Sequence, residues 1–245
     1  MAVNAATIAE NLAAVQDRIA RAAARAGRRA EDVTLVAISK TFPAEAIRAG
    51  WQAGVRHFGE NRVQEWEAKR DAVADLSATW HLVGHLQSNK ARRAARLFHS
   101  VDSVDSLELA RRLDAALGED AEAAQGRRLR VLLEVRLAPE ETKSGVEPQE
   151  VEALARSVLL LPRLELCGLM CIPPLAEDPE QARPYFRRLR ELRDGLRAAL
   201  AVGAGASGAV LLPVLSMGMS HDFEVAIEEG ATEVRIGTAV FGART

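Results

Sequence analysis

The chain is poor in lysine, cysteine and tyrosine, and each shortage narrows what it can do. Of its 32 basic residues only four are lysines (Lys40, Lys69, Lys90, Lys143), so wherever a plain positive charge suffices the sequence uses arginine. Arginine stays protonated and cannot become a nucleophilic amine. A lysine drawn partly out of water has its pKa lowered and can attack an aldehyde to form a Schiff base. The two cysteines, Cys167 and Cys171, share one apolar run. Four residues of strand span roughly 13 Å, too far for a disulfide or for joint chelation of one metal, so both read as buried, reduced thiols. His81 and His85 have helical spacing but sit in Trp80-His-Leu-Val-Gly-His85, a strand and loop pattern that argues against a metal site.

Other absences set the class. No run of 18 or more apolar residues occurs, and Met1-Ala-Val-Asn4 lacks a basic start followed by an apolar stretch, so neither a membrane span nor a secretory signal is expected. The expected location is the cytoplasm. No Pro/Gly/Ser-rich linker divides the 245 residues, which are expected to form one domain over 1–245. The net charge is −2 and the signs alternate along the helical segments, so neither nucleic acid nor an anionic membrane is an expected partner.

What is present is alternation. Residues 7–26 carry Ile8, Leu12, Val15 and Ile19 on one helical stripe, Thr7 and Glu10 have capping-box spacing, and Gly27 ends the segment. Short β-rich runs follow at about 33–38, 55–58, 79–83, 98–101, 129–135, 164–169, 212–216 and 232–236, with helical patterns at about 43–53, 61–74, 88–97, 105–117, 147–160, 179–201 and 221–229 between them. Helix starts are marked by Asp105 with Glu108, by Asp178-Pro179 and by Ser220. Eight βα units after a leading helix predict a (β/α)8 TIM-type barrel with an extra N-terminal helix, a fold of about 250 residues. An open doubly wound sheet would need a glycine-rich phosphate turn after the first strand, and Ser39-Lys40-Thr41 is not one.

Barrel sites are built at the C-terminal ends of the strands. There the sequence places Lys40, Gly59-Glu-Asn61, Gly84-His-Leu-Gln87, Ser100-Val-Asp102, Ser216-Met-Gly-Met-Ser220 and Arg235-Ile-Gly-Thr238. The last two loops follow strands 7 and 8, where such barrels often hold phosphate. Gly218 permits close backbone approach, Ser216, Ser220, Gly237 and Thr238 supply donors, and Met217 and Met219 can pack on a ring. A reactive lysine with a phosphate cradle points to pyridoxal 5′-phosphate, an aldehyde with a phosphate tail.

The motifs Ala37-Ile-Ser-Lys-Thr41, Phe58-Gly-Glu-Asn-Arg-Val-Gln-Glu65, Trp80 through Lys90, Lys143-Ser-Gly-Val146, Gly168-Leu-Met-Cys-Ile172, Leu215 through Asp222 and Val234 through Gly242 resemble the pyridoxal phosphate homeostasis protein family in order along most of the chain. The resemblance implies an alanine-racemase-like barrel that binds pyridoxal phosphate on Lys40, with phosphate at Ser216–Ser220 and Gly237–Thr238 and Arg235 beside the pyridine nitrogen. Asn61 and His85 fall in matching motifs as further cofactor contacts, and Lys143 falls in the loop after strand 5. Arg62 departs from the pattern, standing where the family commonly has an aromatic residue. The implied role is buffering or delivery of the cofactor without catalysis, by a monomer whose partners are the cofactor and the apo-enzymes that receive it. The alternative is a racemase or decarboxylase. Racemases of the alanine type use a β-rich second domain and a tyrosine facing the lysine, whereas this chain has a single tyrosine, Tyr185, read as a packing residue in a helix.

Overall fold

The computed structural model describes residues 4–119, 126–138, 144–201 and 212–243. In chain order the elements are α1 (Ala5–Arg25), β1 (Thr34–Ile38), α2 (Ala44–Ala53), β2 (His57–Glu60), α3 (Val63–Lys69), β3 (Thr79–Leu82), α4 (Ala91–Leu97), β4 (Ser100–Val104) and α5 (Leu107–Gly118). There follow β5 (Leu129–Glu134), α6 (Val151–Leu159), β6 (Leu164–Met170), α7 (Arg183–Ala201), β7 (Val214–Met219), α8 (Phe223–Glu228), β8 (Glu233–Ile236) and α9 (Thr238–Phe241). The strands pair in parallel in sequence order and close, β8 returning to β1 with Leu35 against Val234 and Val36 against Arg235. The predicted (β/α)8 barrel with its leading helix is therefore the observed fold. Among the described residues no helix is long and apolar enough to cross a membrane.

The period of two along each strand divides the molecule into two interiors. One set of side chains, including Ala37, Phe58, Trp80, Leu82, Val101, Leu215 and Met217, faces the helices and joins Ile47, Trp66, Leu113 and Phe186 in one continuous apolar core. The other set fills the barrel axis. There the apolar groups are two small clusters, Val36 with Ile38 and Val83, and Leu132 with Cys167 and Met170, and the rest of the axis is polar. Helix α1 buries its predicted stripe against the helix layer and is tied to α8 by ion pairs Arg18–Glu224 and Arg25–Glu228, each at 2.7 Å.

Several boundaries differ from expectation. Asn4, rather than a Thr7 and Glu10 box, caps α1, its Oδ1 accepting from the N–H groups of Ala6 and Thr7. Ser106 caps α5, because Asp105 instead faces His85 at 3.4 Å. Asp222 heads α8 in place of Ser220. Asp178 does cap the turn opened by Pro179, accepting from Glu180 N–H at 2.9 Å. The helix expected over 61–74 is α-helical over α3 and continues as a 3-10 turn, Arg70–Val73.

Candidate cofactor-binding site

Lys40 follows β1 in phase with the inward-facing Val36 and Ile38, and it stands half-buried on the wall of a pocket of about 570 Å³. The loop that carries it is clamped from outside the barrel. A second lysine, buried Lys69 of α3, donates from Nζ to the carbonyl oxygens of Ser39 (3.0 Å) and Phe42 (3.2 Å) and to carboxylate oxygens of Glu60 (2.7 Å) and Glu65 (3.2 Å). Ser39 Oγ donates to the same Glu60 oxygen at 2.7 Å, and Glu65 accepts the N–H of Thr41, whose φ of +68° is left-handed. The strained turn at Thr41 is thus held by hydrogen bonds on both sides of Lys40. Burial pushes the Glu60 carboxyl up, against the opposing pull of Lys69 and Ser39. Of the four lysines, this one is spent on architecture.

The other side of the arc comes from β7 and β8, which neighbour β1 through β8. Arg235 lines the pocket at 4% exposure. Its Nη1 donates to Ser216 Oγ and its Nη2 to the Cys171 carbonyl, each at 2.8 Å. Ser216 is fully buried beneath the wall and holds Arg235 instead of facing the pocket. Met217 points the opposite way, into the core under the helices, and Met219 is the methionine that reaches the pocket. The reason is a bulge: three residues of β7, from Ser216 to Met219, span what two residues of β8 span, from Glu233 to Arg235. Gly218, at φ +93°, supplies the left-handed step, and an added Cβ would lie 2.6 Å from Ala226 Cβ. Gly218 therefore lets α8 pack close and re-aims Met219 and Ser220. Ser220, Gly237 and Thr238 line the pocket, and Ser220 Oγ accepts the N–H of Ala239 at 3.4 Å.

Asn61 and His85 complete the lining from the loops after β2 and β3, while Leu137, Ile172 and Leu175 give it an apolar rim. The structure brings Lys40, Asn61, His85, Ser220, Arg235, Gly237 and Thr238 together on one wall; it leaves Ser216, Met217 and Gly218 behind it. Tyr185 lies in α7 and does not line this pocket, and Lys143 lies outside the described residues.

One lining residue was missed. Glu134 closes β5 with 7% exposure, its Oε2 has no hydrogen-bond partner, and burial followed by the charge of Asp105 pushes its carboxyl up to about 7 despite Arg235. The signal was present: Arg130, Leu132 and Glu134 share one face of an apolar strand, and a charge at that end of the alternation faces the barrel mouth.

Below the pocket the axis holds a polar network drawn from separate strands. His81 Nδ1 meets Asp102 Oδ2 at 2.9 Å, Ser100 Oγ bonds the other Asp102 oxygen, and His81 Nε2 lies 3.1 Å from His57 Nδ1. Burial alone would lower His81, but Asp102 outweighs it and holds the imidazole protonated above its ordinary range; Asp102 is held low in return. Burial and then the His81 charge push His57 down to about 4, which leaves it neutral to accept from His81. Glu233, 4.0 Å from His81, is pushed up by burial and by Asp102. Both cysteines are buried and free, and burial takes the Cys171 thiol to about 12.

A closed parallel barrel with its lysine after the first strand and hydroxyl-bearing loops after the last two is the arrangement of the alanine racemase N-terminal domain class, and residues 10–245 match the family described by that name. The chain is 46% identical over 235 residues to a pyridoxal phosphate homeostasis protein of Aquifex aeolicus, covering 96% of this chain and 97% of that one. It is 42% identical over 240 residues to the protein of that name in Escherichia coli K12, covering 97% of each. Among solved structures, PipY of Synechococcus elongatus with pyridoxal phosphate bound superposes with a TM-score of 0.81 at 39% identity, over 96% of this chain and 100% of that one. This chain belongs to the pyridoxal phosphate homeostasis protein family. Alanine racemase of Corynebacterium glutamicum, at 20% identity and a TM-score of 0.67, shares the barrel fold.

Proposed function

We propose that this chain binds pyridoxal 5′-phosphate covalently through Lys40 and buffers or delivers it to cofactor-dependent apo-enzymes in the cytoplasm, without substantial turnover of its own. The observation that carries this is the convergence of Lys40, Arg235, Ser220 and Thr238 in one pocket of about 570 Å³, a volume suited to a small cofactor. The pocket fits the group chemically: it offers an amine, hydroxyl donors from two loops and a fixed cation. When bound, the cofactor supplies an electrophilic aldehyde and an electron-withdrawing ring.

The chain's own residues limit what that ring can do. Arg235 has five N–H donors, two directions of which are fixed on Ser216 and Cys171, and no acceptor. Beside a pyridine nitrogen it donates without delivering a proton, so it favours the unprotonated ring and weak electron withdrawal. The bound relative and the shared family name support the cofactor assignment. The test is borohydride reduction of the cofactor-loaded protein followed by peptide mass mapping. The cofactor mass is expected on the peptide that contains Lys40 and is expected to be absent in Lys40→Ala and Lys40→Arg. Trapping on Lys90 or Lys143 would overturn the assignment.

Glu134 keeps a second reading in view, that of a racemase or decarboxylase. Its carboxyl, near pKa 7 and unpartnered in the pocket, is a second group able to take and return a proton beside Lys40. Incubation with L- and D-amino acids in deuterated water, followed by NMR, decides between the two. Rapid deuterium entry at Cα that is lost in Glu134→Gln supports the enzyme; negligible entry supports the carrier.

A further inference from the structure

The loops after β2 and β3 enclose a second depression, of about 410 Å³, lined by Arg62, Gln64, Gln87 and Lys90. It shares Asn61 and His85 with the cofactor pocket and so lies at the same end of the barrel as a side chamber. We propose that this chamber is a binding site for the anionic group of a small molecule, a carboxylate or a phosphate, held between Arg62 and Lys90.

The argument rests on how charge is matched elsewhere. Surface arginines of this protein are paired: Arg48 with Asp75, Arg93 with Glu67, Arg183 with Glu180 and Glu228. Arg62 and Lys90 are exceptions, and among the described residues neither makes an ion pair or donates a hydrogen bond. The acidic residues that follow Arg62 are already engaged, Glu65 by Lys69 and by the N–H of Thr41, Glu67 by Arg93. Two cations brought to one concave surface without a counter-charge repel each other, and an anion between them removes that repulsion. The donor set fits an oxyanion. Arg62 presents a planar fork, Lys90 a compact ammonium, and Gln64 and Gln87 contribute amide N–H groups. Lys90 is also one of only four lysines in a chain that elsewhere uses arginine for charge, and Arg62 is the departure noted in the motif after strand 2.

The inference does not depend on the cofactor reading, and neither does its test. The full-length, ¹⁵N-labelled protein is titrated at low salt with inorganic phosphate and, separately, with glutarate. Backbone amides of residues 62–64 and 87–90 are followed against those of Ser220 and Thr238. Saturable shifts are expected in the first group. The Arg62→Ala/Lys90→Ala double variant should bind about a hundredfold more weakly, about tenfold for each charge-assisted hydrogen bond removed. Arg62→Lys, which keeps the charge and loses the fork, should fall between the two. Tighter binding of phosphate than glutarate identifies a phosphate group, and the reverse a carboxylate. The proposal is overturned by the absence of saturable shifts at these amides with either probe, or by equal affinity in the double variant. Shifts confined to Ser220 and Thr238 overturn it as well, while leaving the cofactor pocket intact.

Discussion

The two ends of the barrel axis treat charge in opposite ways. Toward the N-terminal ends of the strands, His81, Asp102, Ser100 and His57 form a closed set in which each polar group meets another, and the pair His81–Asp102 stays ionised inside the protein. Toward the C-terminal ends, Glu134 is just as deeply buried yet one of its oxygens has no partner, and its carboxyl rises to about 7. A satisfied network in a low-dielectric interior rigidifies the fold; an unsatisfied group beside a cavity is available to whatever enters it. Arg235 joins the two regimes. Its guanidinium is anchored on Ser216 and the Cys171 carbonyl while the same group lines the pocket.

The contrast is broken most directly at its closed end. Asp102→Ala strips His81 and Ser100 of their partner, and losing one member of a buried ion pair costs about 3–5 kcal/mol. Urea unfolding should show a loss of that order, with cofactor retention by the surviving folded protein little changed. A loss below about 1 kcal/mol would mean the network is not the satisfied structural element described.

At the open end the signature is pH dependence. Because the folded carboxyl of Glu134 lies above its unfolded value of 4.5, at about 7, the folded state holds a proton that the unfolded chain has released across that interval. Its favourable contribution is present below pH 4.5 and is lost as pH rises through 7. Relative to Glu134→Gln, the wild type should lose on the order of 2–3 kcal/mol between those limits. Parallel stability profiles for the two proteins would show that Glu134 is not held in this way.

Smaller effects sharpen the boundary between wall and support. Ser216→Ala leaves Arg235 Nη1 without its acceptor and should destabilise the fold by about 1–2 kcal/mol. Thr238→Ala, on the pocket wall, should leave thermal stability within about 0.5 kcal/mol and weaken cofactor retention in dialysis by about 0.5–1.5 kcal/mol. Were Ser216→Ala to reduce retention with unchanged stability, Ser216 would belong to the wall after all.

The primary sequence was enough for the barrel. Alternation of β-rich and helical periods depends only on local side-chain order, and eight such units admit few closures. It was also enough for Lys40, Arg235, Ser220, Gly237 and Thr238, because each lies at the end of a strand, where position along the chain fixes position in a barrel. Tertiary structure decided the rest. The bulge at Gly218 shifts the phase of β7 by one residue, so the inward and outward assignments of Met217 and Met219 could not be read from spacing. Glu134 and the set of His81, Asp102 and Glu233 come from separate strands whose side chains meet only when the barrel closes. Lys69 looked equivalent to Lys40 as one of four scarce lysines. What separates them is burial: α3 carries Lys69 against Glu60 and two backbone carbonyls, whereas β1 delivers Lys40 to the edge of a cavity.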